Sequence, residues 1–240
     1  MRVLVVSDLH YRLPHFDWLV QAAAEVDVVA IVGDLANVVS PVPLEVQIVV
    51  LEKYLAVLAE TSTVLVSSGN HDLDGPDSDG EQVARWLQRS AGGRIHVDGT
   101  SVDVDGIRFT ICPWWDGPQT RDRVGAQLAL AAVDRPAEWI WLYHSPPAGT
   151  VLCRDGQREF PDQDLADWIG EHSPDLVLCG HIHQAPWVDG GSWKDRLGST
   201  WVFNAGKQAG AVPPHITIDT DARTAEWFGV FSVETIDLVD

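Results

Sequence analysis

Short apolar runs alternate along the chain with segments in which apolar residues recur every three or four positions. Runs such as 28–32 are rich in Val and Ile, as in strands that are buried on both faces. After Pro43 one apolar face continues for several turns, which predicts a long helix. The residues on this face are Leu44, Ile48, Leu51, Leu55 and Leu58. The alternation predicts an α/β architecture built partly on parallel strands.

Four other segments have helical periodicity, and two have the pattern of a hairpin. We predict helices from about Pro14 to Glu25, around Val83, Trp86 and Leu87, around Val124, Leu128 and Ala131, and around Leu165, Trp168 and Ile169. The segment 101–111 alternates and contains Asp105-Gly106, a two-residue hairpin turn signal. The segment 215–230 has a similar pattern. A second sheet with antiparallel strands is therefore expected.

The length and the charge limit the classes of protein to consider. A chain of 240 residues with 45% hydrophobic residues suits one α/β domain, so we predict a single domain over residues 1–240. Lys and Arg number 16 and Asp and Glu 35, which gives a net charge of -19. Such a surface repels nucleic-acid polymers and anionic membranes, and both are disfavoured as partners.

The cysteines and the first residues indicate a compartment. Cys112, Cys153 and Cys179 are odd in number and form no CxxC pair, which argues against a disulfide framework and a structural zinc site. Cys112 and Cys179 have the pattern of strand-core residues. The apolar run 3–6 ends at Ser7 and is too short for a signal peptide or a membrane span. We therefore predict a soluble, cytoplasmic protein.

The apolar runs end in side chains that can ligate metal ions. These side chains are Asp8 and His10, Asp34, Asn70 with His71 and Asp72, His144, and His181 with His183. Each one alone has an ordinary structural explanation, such as a turn, a helix cap or a hydrogen-bonded interior histidine. Together they would place acidic, amide and imidazole groups side by side at the carboxyl edge of a sheet. That arrangement is costly unless a cation lies among them.

The spacing and the ligand types favour a pair of cations. Residues i and i+2 of an extended segment point the same way, so Asp8 with His10, and His181 with His183, would each direct two side chains into one cleft. Two donors per loop suit two cations about 3.5–4 Å apart. Carboxylate, carboxamide and imidazole ligands without thiolate suit divalent manganese, iron, zinc or nickel, and do not choose among them.

These motifs, in this order and after these strands, resemble those of the calcineurin-like metallophosphoesterase superfamily. They run from residue 8 to residue 183, and "FNAG" at 203–206 also resembles a strand and turn of that superfamily. The resemblance implies a fold of two facing mixed β-sheets flanked by helices, in four layers. It implies two divalent metal ions, and Asp34 as the ligand shared by both. It assigns Asp8, His10, Asp34 and His183 to one ion, and Asp34, Asn70, His144 and His181 to the other.

The implied activity is hydrolysis of a small phosphate ester. A water between the two ions would be acidified to hydroxide and would attack phosphorus in line, while the ions neutralise the phosphoryl oxygens. By resemblance, His71 protonates the leaving oxygen. Asp72 either orients the imidazole of His71 or caps a turn.

Three further residues are candidates for substrate binding. Arg12 is either a clamp for the substrate phosphate or an ordinary exposed arginine. Trp114 and Trp115 lie in a loop rich in Pro and Gly and are candidates for stacking on a base or another flat leaving group. The segment 145–162 has no apolar periodicity, and we interpret it as a long loop that contributes to specificity.

Within the superfamily, a phosphodiesterase acting on cyclic nucleotides or other small organic phosphodiesters is the first hypothesis. The compact chain and "HSPP" at 144–147 favour it, since the latter resembles the cyclic-nucleotide phosphodiesterase branch. The alternatives are a phosphomonoesterase or protein phosphatase, and a binding scaffold without activity. Lipid-A pathway pyrophosphatases of this superfamily typically have arginine where His71 stands, so this assignment is disfavoured. Amidohydrolase barrels place their His-x-His on the first strand, whereas here it lies late in the chain, and that class of metal hydrolase is disfavoured as well.

Overall fold

Two large mixed β-sheets face each other and carry helices on their outer sides, as the sequence predicts. The computed structural model describes residues 1–238, and the last two residues of the predicted domain lie outside this range. The strands are β1 (Arg2–Val6), β2 (Val28–Val32), β3 (Thr63–Ser67), β4 (Gly75–Pro76), β5 (Gln82–Val83), β6 (Ile95–Val97), β7 (Thr100–Val104), β8 (Ile107–Ile111), β9 (Glu138–Leu142), β10 (Arg154–Asp155), β11 (Arg158–Glu159), β12 (Leu176–Cys179), β13 (Lys194–Leu197), β14 (Thr200–Asn204), β15 (His215–Asp219), β16 (Thr224–Phe228) and β17 (Val233–Asp237). The helices are α1 (Leu13–Ala23), α2 (Leu44–Thr61), α3 (Arg85–Ser90), α4 (Pro118–Ala132) and α5 (Gln163–His172).

Each large sheet has a parallel centre. The first sheet has the order β17-β16-β15-β1-β2-β3-β6, in which β1, β2, β3 and β6 are parallel. The second sheet has the order β13-β14-β12-β9-β8-β7, in which β14, β12, β9 and β8 are parallel. The parallel strands are almost entirely apolar and buried on both faces, as in β2.

Three apolar clusters account for the layers. One lies between the sheets and includes Val5 of the first sheet and Phe109 of the second. Another joins the outer face of the first sheet to helices α1, α2 and α3. The third joins the outer face of the second sheet to α4 and α5. The four-layer arrangement expected from the sequence is therefore confirmed.

The predicted helices are all present, with local differences at their ends. Helix α3 starts at Arg85 and not at Val83, because Val83 pairs with Gly75 in a short hairpin. The Asp74 carboxylate accepts hydrogen bonds from the backbone N–H groups of Arg85 (2.6 Å) and Trp86 (3.3 Å), and so caps the first turn. No helix among residues 1–238 is long and apolar enough to cross a membrane.

Both predicted hairpins are present, but they belong to different sheets. Strands β7 and β8 form an edge of the second sheet, and Asp105 and Gly106 take the positive φ angles (49° and 84°) of a tight hairpin turn. Strands β15 and β16 extend the first sheet instead. The segment 145–162 is more structured than expected, since it contains a 3-10 turn at Val151–Cys153 and the hairpin β10–β11.

This topology gathers the carboxyl ends of five strands. Strands β1, β2 and β3 are neighbours in the first sheet, and β9 and β12 are neighbours in the second. Parallel neighbours end at the same edge, so the segments after these strands meet across the gap between the sheets.

The core between the sheets yields a test of the fold. Phe109 is fully buried there, so Phe109→Ala is expected to lower the free energy of unfolding by about 3–5 kcal/mol in urea denaturation. Phe231→Ala is the matched control, because Phe231 is 91% exposed and its loss should change stability by no more than about 0.5 kcal/mol. Equal effects of the two substitutions would contradict the assignment of this core.

Candidate metal centre

The loops that follow the strands turn sharply through left-handed backbone. The residues Asp8, His10, Asp34 and His181 have φ angles of 55°, 45°, 55° and 64°. The sequence interpretation assumed extended backbone for the Asp8/His10 and His181/His183 pairs, and this was wrong. The side chains still converge, because tight turns and not strand alternation direct them into the cleft. Such conformations cost about 1–3 kcal/mol each and are concentrated at functional sites.

Backbone hydrogen bonds hold these loops against one another. The N–H of His10 donates to the carbonyl of Asp34 (2.9 Å), which joins the loops after β1 and β2. The N–H of His71 donates to Asp34 Oδ1 (2.9 Å). The N–H of His181 donates to both oxygens of Asp8 (3.1 and 3.2 Å), which links the two sheets directly. The ligand positions are thus fixed by the protein itself.

One group of predicted ligands surrounds a common point. It consists of Asp8, His10, Asp34 and His183, whose ligand atoms lie within 4.8 Å of one another. The Nε2 atoms of His10 and His183 are 2.9 Å apart, and His183 Nε2 is 3.2 Å from Asp8 Oδ1. Two imidazole nitrogens at this distance repel each other unless a proton or a cation lies between them.

A second group shares Asp34 with the first. It consists of Asp34, His144 and His181, again with ligand atoms within 4.8 Å. Asp34 Oδ2 is 3.6 Å from His10 Nε2 and 3.4 Å from His144 Nε2, so this carboxylate lies between the groups. The structure therefore brings together the carboxylates and imidazoles of the two sets that the resemblance implies, and the place of Asn70 in the second set stays a prediction.

Two buried polar atoms of the second set lack hydrogen bonds. They are Asn70 Oδ1 and His144 Nε2. The other ring nitrogen of His144, Nδ1, is 2.8 Å from the Val32 carbonyl, to which it must donate. Neutral His144 therefore carries its lone pair on Nε2, as a metal ligand requires. A buried polar atom without a hydrogen-bond partner is costly, so these residues fit a metal ion.

The charge states also suit metal binding. Burial lowers the pKa of His10 and of His181 to about 4, so both imidazoles are neutral at pH 7. Burial raises the pKa of Asp34, but His144 and His10 outweigh this effect and hold the pKa below its ordinary value. Burial alone would lower the pKa of His144, yet Asp34 and Asp8 raise it to about 9. Without metal, this proton supplies the positive charge that the carboxylates require.

Glycines leave room for the ligands. A Cβ added to Gly33 would collide with the ring of His144, and one added to Gly69 would collide with Asp34. A Cβ on Gly180 would lie 2.7 Å from Asp8 Oδ2. The glycines of the GD, GNHD and GHIH motifs are thus required for close approach, and at Gly33 also for its positive φ of 76°.

His71 and Asp72 lie beside the centre in different environments. The ring of His71 packs edge-on against His10, with centroids 4.6 Å apart. Asp72 was expected to orient that ring or to cap a turn. Its two oxygens accept hydrogen bonds from the backbone N–H groups of Ala36 (2.8 Å) and Gly69 (2.8 Å), and it therefore fixes the loops after β2 and β3. Burial, together with the charge of Asp34, raises the pKa of Asp72 to about 7.

The three candidates for substrate binding differ in position. Trp114 packs against His144 and His181, with ring centroids 5.8 and 5.3 Å apart. Trp115 is partly buried against the second sheet. Arg12 is exposed, and its Nε donates to the Gly210 carbonyl (2.8 Å), which ties it to the loop after β14.

Lys207 is a residue that the sequence interpretation did not include. Its backbone N–H donates to the carbonyl of His183 (3.1 Å). Burial lowers the pKa of Lys207, while Asp8 and Asp34 act in the opposite direction. The backbone hydrogen bond places this residue next to the ligand His183. A lone lysine in a sequence gives no signal for such a position.

Asn204 explains the "FNAG" segment. Its buried amide donates to the carbonyls of Gly180 (3.0 Å) and Ile182 (3.1 Å), and its Oδ1 accepts from the N–H of Gly206 (2.8 Å). The end of β14 thereby fixes the loop that carries His181 and His183.

A buried carboxylate on the edge of the first sheet was also missed. Asp98 Oδ1 accepts from the N–H of Ser68 (2.7 Å), and Ser68 Oγ accepts from the N–H of Trp114 (2.9 Å). This chain of hydrogen bonds positions the loop of Trp114 relative to the loop of Asn70. Burial raises the pKa of Asp98 to about 7.

Removal of the Asn204 amide tests its role. Asn204→Ala leaves two buried carbonyls without donors and loosens the His181 loop. We expect metal affinity to fall by about 10- to 100-fold, the range for groups that orient ligands, in a competition titration with a chromogenic chelator. Gln157→Ala, an exposed amide in the β10–β11 turn, is the control. Unchanged affinity in Asn204→Ala would show that the loop is held by other contacts.

Asp98 predicts a pH dependence of stability. Its pKa is raised in the folded chain, so its stabilising contribution is complete below pH 3.8 and is lost as pH rises to about 7. Asp98→Asn keeps the side chain neutral and removes this loss. The melting temperature of the variant relative to wild type should therefore rise between pH 4 and pH 7 and level off above, as scanning calorimetry would measure. A pH-independent difference would exclude a neutral Asp98.

Similar structures confirm the fold. Protein TT1561 of Thermus thermophilus superposes with a TM-score of 0.60 at 17% identity, over 99% of each chain. Purple acid phosphatase PPD1 from yellow lupin superposes with a TM-score of 0.57 at 16% identity, over 99% of this chain and 51% of that one. No protein with a curated description matches the chain by sequence.

The family model of the calcineurin-like phosphoesterases matches residues 1–185, which include every predicted metal ligand. This match covers most of the 240 residues. The protein is accordingly a metal-dependent phosphoester hydrolase. The chain belongs to the calcineurin-like phosphoesterase family.

Proposed function

We propose that the protein is a phosphodiesterase that hydrolyses small organic phosphodiesters, cyclic nucleotides among them. The main support for this proposal is that two ligand groups share Asp34 and that His71 packs against His10 of the first group. We assign Asp8, His10, Asp34 and His183 to one divalent ion and Asp34, Asn70, His144 and His181 to the other. Manganese, iron, zinc and nickel suit these ligands. Two such ions, when bound, neutralise phosphoryl oxygens and make water nucleophilic at neutral pH.

A backbone hydrogen bond orients the ring of His71. Its Nδ1 accepts a hydrogen bond from the backbone N–H of Val38 (3.3 Å), so the proton of the neutral ring is on Nε2. In the proposed reaction a water oxygen forms a bond to phosphorus and releases a proton, and the P–O bond to the leaving group breaks. The departing oxygen takes a proton from Nε2 of His71, and the proton released by the water restores the ring. Such proton transfer contributes about 10²–10⁴-fold to rate.

Charge favours a diester over a monoester. The chain carries a net charge of -19, which opposes the approach of anions. A phosphate monoester carries about -1.5 to -2 charges at pH 7, whereas a diester carries only one. The same repulsion acts more strongly on nucleic-acid polymers, which we do not propose as substrates. Near the centre, Lys207 adds a local positive charge that attracts the phosphate.

We also propose a reducing, cytoplasmic location. All three cysteines are buried and unpaired, as is expected where disulfides are not formed.

Purification without chelator, followed by metal analysis and kinetics, tests the activity. We expect bound divalent metal and a higher kcat/KM for bis-p-nitrophenyl phosphate than for p-nitrophenyl phosphate. Monoester preference would instead indicate a phosphomonoesterase or protein phosphatase. A metal-loaded chain that hydrolyses neither ester would indicate a binding scaffold.

His71→Gln separates acid catalysis from metal binding. The substitution should lower kcat by about 10²–10⁴-fold for a diester with an alkoxide leaving group, and less for a nitrophenolate, which needs no proton to depart. Metal content should stay unchanged. His96→Gln, on the edge strand β6 of the first sheet, is the matched control. Equal losses for both leaving groups would argue against an acid at this position.

A further inference from the structure

A cavity of about 300 Å³ opens directly beside the second ligand group. Its walls are Pro113, Trp114, Trp115, Tyr143, Phe160 and Pro161, which we call the aromatic pocket, and His144 and His181 line it as well. This volume is at the lower end of the range of ligand pockets, about 300–1,000 Å³. The pocket therefore has room for a ring attached to a phosphate at the metal centre.

Hydrogen bonds hold the walls of the aromatic pocket in place. Trp115 Nε1 donates to the Tyr143 hydroxyl (2.6 Å), and that hydroxyl donates to Asp162 Oδ2 (2.8 Å). Asp162 Oδ1 accepts from the N–H of Leu165 at the start of helix α5 (2.8 Å). Both carboxylate oxygens of Asp162 are thus engaged within the protein. A pocket whose shape is fixed before binding loses little entropy when a ligand enters.

Two further walls are fixed through their backbone N–H groups. The N–H of Trp114 donates to Ser68 Oγ (2.9 Å), and the N–H of Phe160 donates to the Cys153 carbonyl (2.8 Å). Phe160 is 43% exposed and lines the aromatic pocket.

The aromatic pocket and His71 lie on different sides of the centre. His71 follows strand β3 of the first sheet and packs against His10 of the first ligand group. The pocket is built by segments that follow β8 and β9 of the second sheet and precede α5, and it adjoins His144 and His181. With His71 as the proposed proton donor the leaving oxygen faces His71, and a group in the pocket is then the one that stays on phosphorus.

We propose that the aromatic pocket binds a planar aromatic group on the ester arm that the phosphate retains after hydrolysis. This inference rests on the proposed phosphodiesterase function and specifies its substrate class. Trp114 is the central residue, because it contacts both the pocket and the imidazoles of His144 and His181. A monoester has no retained arm, and so leaves the pocket unused.

The experiment varies the retained arm while the leaving group stays constant. Methyl, cyclohexyl and phenyl p-nitrophenyl phosphate all release p-nitrophenolate, and kcat/KM is measured for each with the metal-loaded protein. We expect kcat/KM to be highest for the phenyl diester, lower for the cyclohexyl diester and lowest for the methyl diester. Trp114→Ala should lower kcat/KM roughly 5- to 150-fold more for the phenyl diester than for the methyl diester, the contribution of one stacked ring.

Two further variants separate stacking from general damage. Trp114→Phe keeps a ring and should restore most of the phenyl preference. Phe160→Ala should reduce that preference, whereas Phe231→Ala, which removes a phenylalanine that is 91% exposed in the β16–β17 turn, should not. Metal content is measured for every variant, since loss of metal would lower kcat/KM for the phenyl and the methyl diester together.

The outcomes distinguish the pocket from the activity. Turnover without a phenyl preference, or equal losses for both diesters in Trp114→Ala, would overturn the pocket and leave the phosphodiesterase intact. If no diester is hydrolysed, the proposed function fails. Calorimetry then compares the binding of phenylphosphonate and methylphosphonate, and this comparison tests whether the aromatic pocket binds a ring. Tighter binding of phenylphosphonate that is lost in Trp114→Ala supports the pocket, and equal binding of the two overturns it.

Discussion

The structure depends on the electrostatic demand of two carboxylates that lie almost fully buried at the meeting point of two sheets. Asp8 and Asp34 are 1% and 2% exposed, and neutral imidazoles and backbone N–H groups surround them. Burial of an isolated carboxylate is prohibitive, and hydrogen bonds meet only part of the cost. Divalent ions supply the remaining positive charge. The buried strands, the left-handed turns and the glycines of the motifs all serve to bring these ligands within reach of one another.

Much of this arrangement could be predicted from the sequence. Buried parallel strands leave a clear apolar pattern, and polar residues directly after them are easy to recognise. Because parallel neighbours end at one edge, the convergence of Asp8, Asp34, Asn70, His144 and His181 followed from the pattern together with the fold. The metal ligands can be recognised from the sequence more easily than most residues of the site, since Asp, Asn and His directly after buried strands suggest metal binding by their chemistry alone.

The contacts around the ligands could not be predicted, for physical reasons. The partners of Asp72 are backbone N–H groups, which every residue but proline possesses, so no residue type identifies them. The left-handed φ angles of Asp8 and His10 arise from tertiary contacts and not from glycine. Tyr143 has the pattern of a strand residue, and its hydroxyl becomes informative only when Trp115 and Asp162 are seen beside it. Asn204 resembles a family segment, yet its bonds to Gly180 and Ile182 depend on the pairing of β12 with β14.

The hydrogen bonds from the N–H of His181 to Asp8 join the two halves of the molecule at the centre itself. A divalent ion bound by ligands from both halves would form a second link between them. A ligand that binds only the folded chain stabilises it by about 2.7 kcal/mol at a free concentration one hundred times its Kd. Loss of such ions would therefore remove this stabilisation, and only the protein's own contacts would then hold the two halves together.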